Sequence, residues 1–393
     1  MASKIFMGDM PELMEKVLNN LNDDFYSLYG ATLHKLVLLA PRFIEIKPDI
    51  IKSFEQNAQF FSQLQDLTID IESFLSIENT IALLNIFIKH TTKISSLKLG
   101  GIFSNHEPQL FHILIRFIKS QEQLRKFCFA GEHYHTNFNG LLSALESQKN
   151  SLQEVIVENY GYSAEFDVLK ICKNLETLRM RNEFDYPILF LNCKISTLEI
   201  YSFKIDGSTI VQILEHSGNL LQRLKLNNND FKILNEFLLL EAIKSFCPNI
   251  TYLSISKIGF STQILEIIGN LQKLQFLTLK FFVDISEKEL KIRVKQFAEI
   301  LPLTLQYLDL INNSWLMPYL DIFLNHCNVP LNKLSIYQLD NEKNIEALIE
   351  FCKRNRTLNY FSMFDHWKLD KSFTKKLEAY TALESYDRFV VHC

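Results

Sequence analysis

The chain has 393 residues, 47% of them apolar, and its 41 basic and 45 acidic residues leave a net charge of −4. This composition excludes a disordered protein, and without a basic excess neither nucleic acid nor a membrane surface is an expected partner. Glycine and proline make up about 5% of the chain against an average of roughly 12%, which disfavours glycine-loop nucleotide sites.

The cysteines and the N-terminus predict a cytoplasmic or nuclear protein. The seven cysteines are odd in number and far apart, which is typical of reduced thiols and of neither a disulfide framework nor a thiolate metal site. Residues 1–9 lack the apolar run of a signal peptide, and no window reaches the roughly eighteen apolar residues that a membrane span requires.

The first predicted element is an amphipathic helix over residues 9–21. Asp9 can cap its free amides, Pro11 suits a first turn that needs no backbone donor, and Glu12 complements the helix dipole. The apolar residues that fall on one face are Leu13, Met14, Val17, Leu18 and Leu21. The simplest interpretation is a cap that seals the open end of a repeat array.

From residue 64 onward, one phrase with apolar residues at its first, fourth and sixth positions returns twelve times. The mean spacing is about 27 residues, within the range of roughly 20 to 29 that leucine-rich repeats show. The triplets are Leu64, Leu67, Ile69; Ile94, Leu97, Leu99; Leu124, Phe127, Phe129; Leu152, Val155, Val157; Leu175, Leu178, Met180; Ile195, Leu198, Ile200; Leu221, Leu224, Leu226; Ile250, Leu253, Ile255; Leu274, Leu277, Leu279; Leu305, Leu308, Leu310; Leu331, Leu334, Ile336; and Leu358, Phe361, Met363.

Segments with helical periodicity lie between the phrases, so each unit is predicted to be a strand followed by a helix. The clearest helical segments are 81–89, 110–119, 210–215, 237–246, 264–268 and 345–352. Because stacked units share the core that one unit cannot form, we expect an α/β fold, a curved leucine-rich-repeat solenoid with a parallel sheet on its concave side and helices on its convex side. Asn229 and Asn313 are placed to bond neighbouring backbones. Twelve matches in series disfavour the alternative, an ordinary helical or α/β protein with accidental matches.

The N-terminal pattern and the repeats together resemble the F-box/LRR family, in which a short F-box precedes leucine-rich repeats. The residues that carry the F-box resemblance are Met10, Pro11, Glu12, Leu13, Val17, Leu18 and Leu21. The residues that it implies as adaptor-binding are Met10, Pro11, Leu13, Met14, Val17, Leu18 and Leu21. The resemblance implies that this segment binds a Skp-family adaptor, and through it the cullin of a ubiquitin ligase. It also implies that the repeats hold a target protein and that the chain is not an enzyme and needs no cofactor.

The resemblance divides the chain into residues 1–48, an F-box-like helical segment with a degenerate second half, and residues 49–393, a solenoid with a C-terminal cap. The second half of the segment has no Trp, so it is either divergent or shortened, with the solenoid beginning early at 36–43. A leucine-rich-repeat scaffold that binds a protein without a ligase is the second functional hypothesis.

No residue pattern indicates a catalytic or metal site. Glu132, His133 and His135 lack a further ligand, and a polar loop is the better interpretation. Asp23 and Asp24 are typical of a solvated helix end. The basic residues Lys353, Arg354 and Arg356 are placed to complement a helix dipole.

Strand alternation turns the residues between the apolar positions outward, where they are the candidates for partner contact. In the middle of the chain these are Arg179 and Arg181, beside glutamates with which they can pair. In the later units they are aromatic, at Tyr201, Tyr252, Phe276, Tyr307, Tyr337 and Tyr360. We expect the rings to face solvent as binding anchors, and the alternative is that neighbouring loops cover them.

Overall fold

The computed structural model describes residues 5–6, 34–39, 48–56, 58–70, 77–102, 108–131, 140–159, 164–181, 194–228, 231–339, 341–364 and 371–384. The chain divides into two compact units, one of Met1–Asn182 with Leu191–Lys194 and one of Glu183–Phe190 with Ile195–Cys393. Among the described residues, no helix combines the length and the apolar character needed to cross a bilayer.

Unit 1 is a parallel sheet whose strands follow one another in chain order. The strands are β1 (Ile5–Phe6), β2 (Lys35–Leu39), β3 (Asp66–Asp70), β4 (Ser96–Ile102), β5 (Lys126–Gly131), β6 (Glu154–Glu158) and β7 (Thr177–Arg181). The connections contain α1 (Pro48–Gln56), α2 (Ile77–His90), α3 (Pro108–Ser120) and the 3₁₀ helices Ala58–Gln63, Ser143–Gln148 and Ala164–Ile171.

Unit 2 repeats this plan, again with parallel neighbours in chain order. Its strands are β8 (Thr197–Ser202), β9 (Arg223–Asn228), β10 (Tyr252–Gly259), β11 (Phe276–Phe282), β12 (Tyr307–Asp309), β13 (Lys333–Ile336), β14 (Tyr360–Met363) and β15 (Ala382–Glu384). Its helices are α4 (Gly207–Ser217), α5 (Glu236–Phe246), α6 (Thr262–Asn270), α7 (Glu287–Ile300), the 3₁₀ helix Ser314–Tyr319, α8 (Leu320–His326), α9 (Glu342–Arg354) and α10 (Lys371–Glu378).

The apolar phrases form the core of each unit, as predicted. All of their first, fourth and sixth residues are buried except Met180, which is half-buried. All six predicted helical segments are helices as well. Burying each Leu or Phe contributes about 1.5 to 3 kcal/mol, and stacked strands and helices supply the covering surface. The fold is therefore a leucine-rich-repeat solenoid of the α/β class.

The sheet of unit 1 extends towards the N-terminus beyond the first predicted phrase. Strand β2 lies in register with β3, so that Leu36 pairs with Leu67 and Leu38 with Ile69. This strand falls inside the span 1–48, most of which lies outside the described residues. The domain boundary between residues 48 and 49 stays a prediction.

Buried amide side chains bond the backbones of neighbouring repeats. The role predicted for Asn313 is confirmed, because its Nδ2 donates to the Leu279 carbonyl (2.6 Å) and its Oδ1 accepts from the Phe281 amide (2.8 Å). Asn229 lies outside the described residues, and the preceding Asn228 is fully buried with its Nδ2 donating to the Phe231 carbonyl (2.6 Å) within the same repeat.

Unit 1 uses two glutamines for the same purpose. Gln121 Oε1 accepts from the Ile94 amide (3.2 Å), and Gln148 Oε1 accepts from the Leu124 amide (3.2 Å). Gln148 Nε2 also donates to the Gln121 carbonyl (2.7 Å), which links three successive repeats. These buried backbone groups of Ile94, Leu124 and Gln121 therefore have the partners that their burial requires.

Gly207, the first residue of α4, lies against the backbone of the next repeat. Asp206 caps the helix by accepting from the Ser208 amide (3.0 Å), and the Gly207 amide donates to the Leu234 carbonyl (2.8 Å). A Cβ at Gly207 would lie 2.6 Å from the Asn235 carbonyl oxygen, closer than van der Waals contact allows. The close approach of the two repeats thus requires glycine here.

We predict that Gly207→Ala lowers the free energy of unfolding by about 1 to 3 kcal/mol, because one of the two backbones has to move. Urea denaturation measures this change. The matched control is Gly100→Ala, where the new Cβ lies 3.8 Å from its nearest neighbour in Asp70. Equal changes in the two variants would contradict the proposed role of close packing.

Candidate partner-binding face

The outer face of each sheet is formed by the side chains that alternate with the buried apolar residues. Parallel register brings equivalent positions of successive repeats side by side, about 4.8 Å apart. Outward residues therefore form rows that run across the strands, and each row adds one side chain per repeat.

In unit 1, the outward charges are bonded to one another. Arg179 binds Glu154, Lys126 Nζ lies 2.9 Å from the same carboxylate, and Arg181 Nη1 lies 2.9 Å from Glu158 Oε1. Such partly exposed pairs contribute about 0 to 1 kcal/mol each. Arg179 and Arg181 thus lie on the outer face, engaged by glutamates of the preceding strand, as their mixed charge suggested.

In unit 2, one row is largely aromatic. We call it the aromatic row, and its members in register are Arg223, Tyr252, Phe276, Tyr307, Lys333 and Tyr360. The ring centroids of Tyr252 and Phe276 are 6.2 Å apart, and those of Phe276 and Tyr307 are 6.1 Å apart. Pairs at such distances contribute about 0.5 to 1.5 kcal/mol beyond their burial.

Cations lie over the tyrosines at both ends of this row. The Arg223 guanidinium carbon lies 4.8 Å from the centre of the Tyr252 ring, and Lys333 Nζ lies 5.1 Å from that of Tyr360. Cation–π contacts of this kind contribute about 0.5 to 1 kcal/mol at exposed sites and more when desolvated. The row thus consists of a stack from Arg223 to Tyr307 and a cation–π pair of Lys333 with Tyr360.

The prediction that Tyr252 and Tyr307 face solvent is wrong. Their exposed fractions are 4% and 2%, and each ring packs beside Phe276, which lies between them in the aromatic row. The Tyr307 hydroxyl donates to Asp309 Oδ2 (3.4 Å), and Asp309 is itself buried. These two tyrosines therefore stabilise the sheet.

The other predicted rings are more accessible. Tyr201 and Phe276 are half-buried, while Tyr337 and Tyr360 are 36% and 37% exposed. Tyr337 stacks on Phe364, with centroids 6.2 Å apart and ring planes inclined by 10°. Phe364 is exposed and was missed by the sequence analysis, although it follows the inward Met363 and alternation alone turns it outward. Tyr337 and Phe364 together present aromatic surface on this face, and Tyr360 adds an exposed ring at the start of β14.

A second exposed apolar region lies where the strands of unit 2 end. It consists of Phe231, Leu234, Phe237 and Phe282. None of these was predicted to be exposed: Phe231 and Leu234 lie in the turn after β9, Phe237 lies in the first turn of α5, and Phe282 is the last residue of β11.

Neither the thiols nor the carboxylates of the described part of the chain form a reactive cluster. There, no group of three or more His, Cys, Asp or Glu residues is arranged to hold a metal ion. Burial raises the pKa of Cys247 to about 12 and that of Cys352 to about 11, so both thiols are protonated at neutral pH. Glu132, His133 and His135 lie outside the described residues, as does the predicted adaptor-binding set Met10, Pro11, Leu13, Met14, Val17, Leu18 and Leu21.

Comparison with solved structures found similar chains, among them the following two. Yeast Rad7, in the crystal structure of its complex with Elc1, is 14% identical and has a TM-score of 0.52, with 96% of this chain and 93% of that chain covered. A leucine-rich-repeat protein of Leptospira interrogans is 16% identical with a TM-score of 0.37, over 90% of this chain and 84% of that chain. The sequence matches no protein-family model and no curated protein.

We predict that Tyr307→Ala lowers the free energy of unfolding by about 3 kcal/mol or more, because it leaves a cavity in the aromatic row. The control is Tyr360→Ala at an exposed position of the same row, for which we expect a change below about 1 kcal/mol. Chemical denaturation of both variants measures the difference. An unchanged stability of Tyr307→Ala would show that the ring is not part of the core.

Proposed function

We propose that the chain is a non-catalytic substrate-recognition subunit of a Skp/cullin/F-box-type ubiquitin ligase. In this proposal the N-terminal segment binds a Skp-family adaptor, which connects it to a cullin, and the repeats bind the protein to be modified. Such a subunit supplies no chemistry of its own and works in the cytoplasm or nucleus.

The adaptor role is supported by the sequence pattern from Met10 to Leu21, which predicts a helix that begins near Pro11 and has Leu13, Val17 and Leu18 on one face. A surface of this kind fits a hydrophobic groove of a partner. The similarity in fold to Rad7, which was crystallised with Elc1, is consistent with a repeat protein that works together with a second protein.

The target-binding role is supported by the outer face of unit 2. Exposed aromatic side chains are enriched among the anchors of protein interfaces, and Tyr337, Tyr360 and Phe364 are such side chains. A leucine-rich-repeat scaffold without ligase association would use the same face. Binding of a Skp-family adaptor is therefore the observation that distinguishes the two functions.

We expect the full-length chain to co-purify with a Skp-family adaptor when the two are expressed together. Pro11→Ala combined with Leu13→Asp should abolish the association, because it places a charge in the proposed apolar contact. The matched control is Leu220→Asp, which introduces the same charge at an exposed leucine of unit 2 and should leave the adaptor bound. Size-exclusion chromatography with quantified band intensities measures the ratio of the two proteins.

Two results would decide against the ligase assignment. One is a wild-type chain that brings down no adaptor, and the other is an association that the N-terminal double substitution leaves unchanged. In either case the scaffold function would be the better assignment.

A further inference from the structure

The carboxyl edge of the unit 2 sheet, where β9, β10 and β11 end, exposes large apolar side chains. Phe231 and Phe237 are 61% and 65% exposed, and Leu234 and Phe282 are exposed as well. Soluble proteins seldom expose several large apolar side chains in one contiguous region unless it binds something.

Backbone contacts make this edge continuous over neighbouring repeats. The Ile233 amide donates to the Lys257 carbonyl (3.3 Å), and the Phe260 amide donates to the Phe282 carbonyl (3.0 Å). The segments that carry Phe231, Leu234 and Phe237, then Lys257, and then Phe282 are therefore laterally adjacent. A partner segment that runs across the strands would meet all of them.

The same edge presents two lysines whose ammonium groups have no carboxylate partner among the described residues. Lys257 and Lys280 are both half-exposed, and Lys280 is in register with Ser256, the residue before Lys257. A third lysine, Lys232, lies 3.4 Å from Glu236 and is largely exposed. Carboxylates brought by a partner would therefore meet unpaired positive charge at this edge.

The backbone at Lys257 is held in an unfavourable conformation. Its φ of 61° lies in the left-handed region, and it occupies a bulge where the register between β10 and β11 shifts. Bulges re-aim side chains, and left-handed backbone at a residue other than glycine tends to occur at functional sites. The Lys257 carbonyl accepts a hydrogen bond from the Ile233 amide, and the carbonyl of any other residue type could do the same. This backbone hydrogen bond therefore does not explain why residue 257 is a lysine.

We propose that this carboxyl edge binds an acidic segment of the target protein that also carries bulky apolar side chains. The inference rests on the proposed function, because it assigns the class of target that the repeats recognise. The exposed phenylalanines and Leu234 receive the apolar anchors, and Lys257 and Lys280 receive the carboxylates. A nucleic acid is disfavoured because the aliphatic Leu234 lies among the rings and the chain has a net charge of −4.

Fluorescence anisotropy of the full-length chain with a labelled peptide of alternating glutamate and phenylalanine tests this proposal. We expect wild-type chain to bind this peptide and to bind a lysine–phenylalanine peptide at least about tenfold more weakly. Lys257→Gly combined with Lys280→Gln should raise the Kd for the acidic peptide by about tenfold, the effect of losing two charge contacts. Phe231→Ser combined with Phe237→Ser should weaken binding by a similar factor or more.

Two controls separate binding from folding. Lys273→Gln removes the same charge at the opposite edge, where Lys273 bonds Asn249, and should leave the Kd unchanged. Lys257→Gly should keep or raise the melting temperature, because glycine adopts a positive φ without strain.

The proposal is overturned if wild-type chain binds no acidic peptide, if the lysine double variant binds it as tightly as wild type, or if an oligouridylate RNA binds more tightly than the peptide. The same lysine double variant should still co-purify with the adaptor. If wild-type chain binds the adaptor but not the peptide, only the proposed binding role of the carboxyl edge is refuted. If wild-type chain does not bind the adaptor, the ligase assignment is refuted, and the peptide result still tests the carboxyl edge.

Discussion

The lateral register of parallel strands is the constraint on which the rest of the structure depends. Because Leu67, Leu97 and Phe127 occupy equivalent positions of adjacent strands, each apolar side chain is buried by the same position of the next repeat. No repeat completes its own core, so the register has to be kept from one strand to the next. The outward side chains follow the same register, so they lie side by side in rows whether or not their contact is favourable.

In the aromatic row, the strand register affects whether an outward ring is buried or exposed. A tyrosine that points away from the core is exposed when its row neighbours are small, as for Tyr360 beside Ala382. The same residue type is buried at position 307, where Phe276 lies on one side and Lys333 on the other. The direction of a side chain alone therefore does not decide which rings are available to a partner, and the neighbours about 27 residues away along the chain contribute to it.

The repeats, the buried triplets and six helices were predictable because they follow from periodicity within a single repeat. What escaped prediction depends on contacts between repeats. Gln121 and Gln148 bond backbone groups far away in the chain, and no local pattern marks a glutamine for that role. The burial of Tyr252 and Tyr307 and the bulge at Lys257 likewise arise only when two strands are set side by side.

Departures from the repeat pattern are therefore informative about function. A solenoid is stabilised when every repeat makes the same buried contacts, and most residues that break the repeat pattern lower its stability without any gain. Lys257 breaks the ladder and adopts a strained backbone, and Phe231 in the turn after β9 and Phe237 in the first turn of α5 expose rings where polar residues would be compatible with the fold. Three such departures within one edge of unit 2, each unfavourable for folding alone, are coherent if that edge is completed by another molecule.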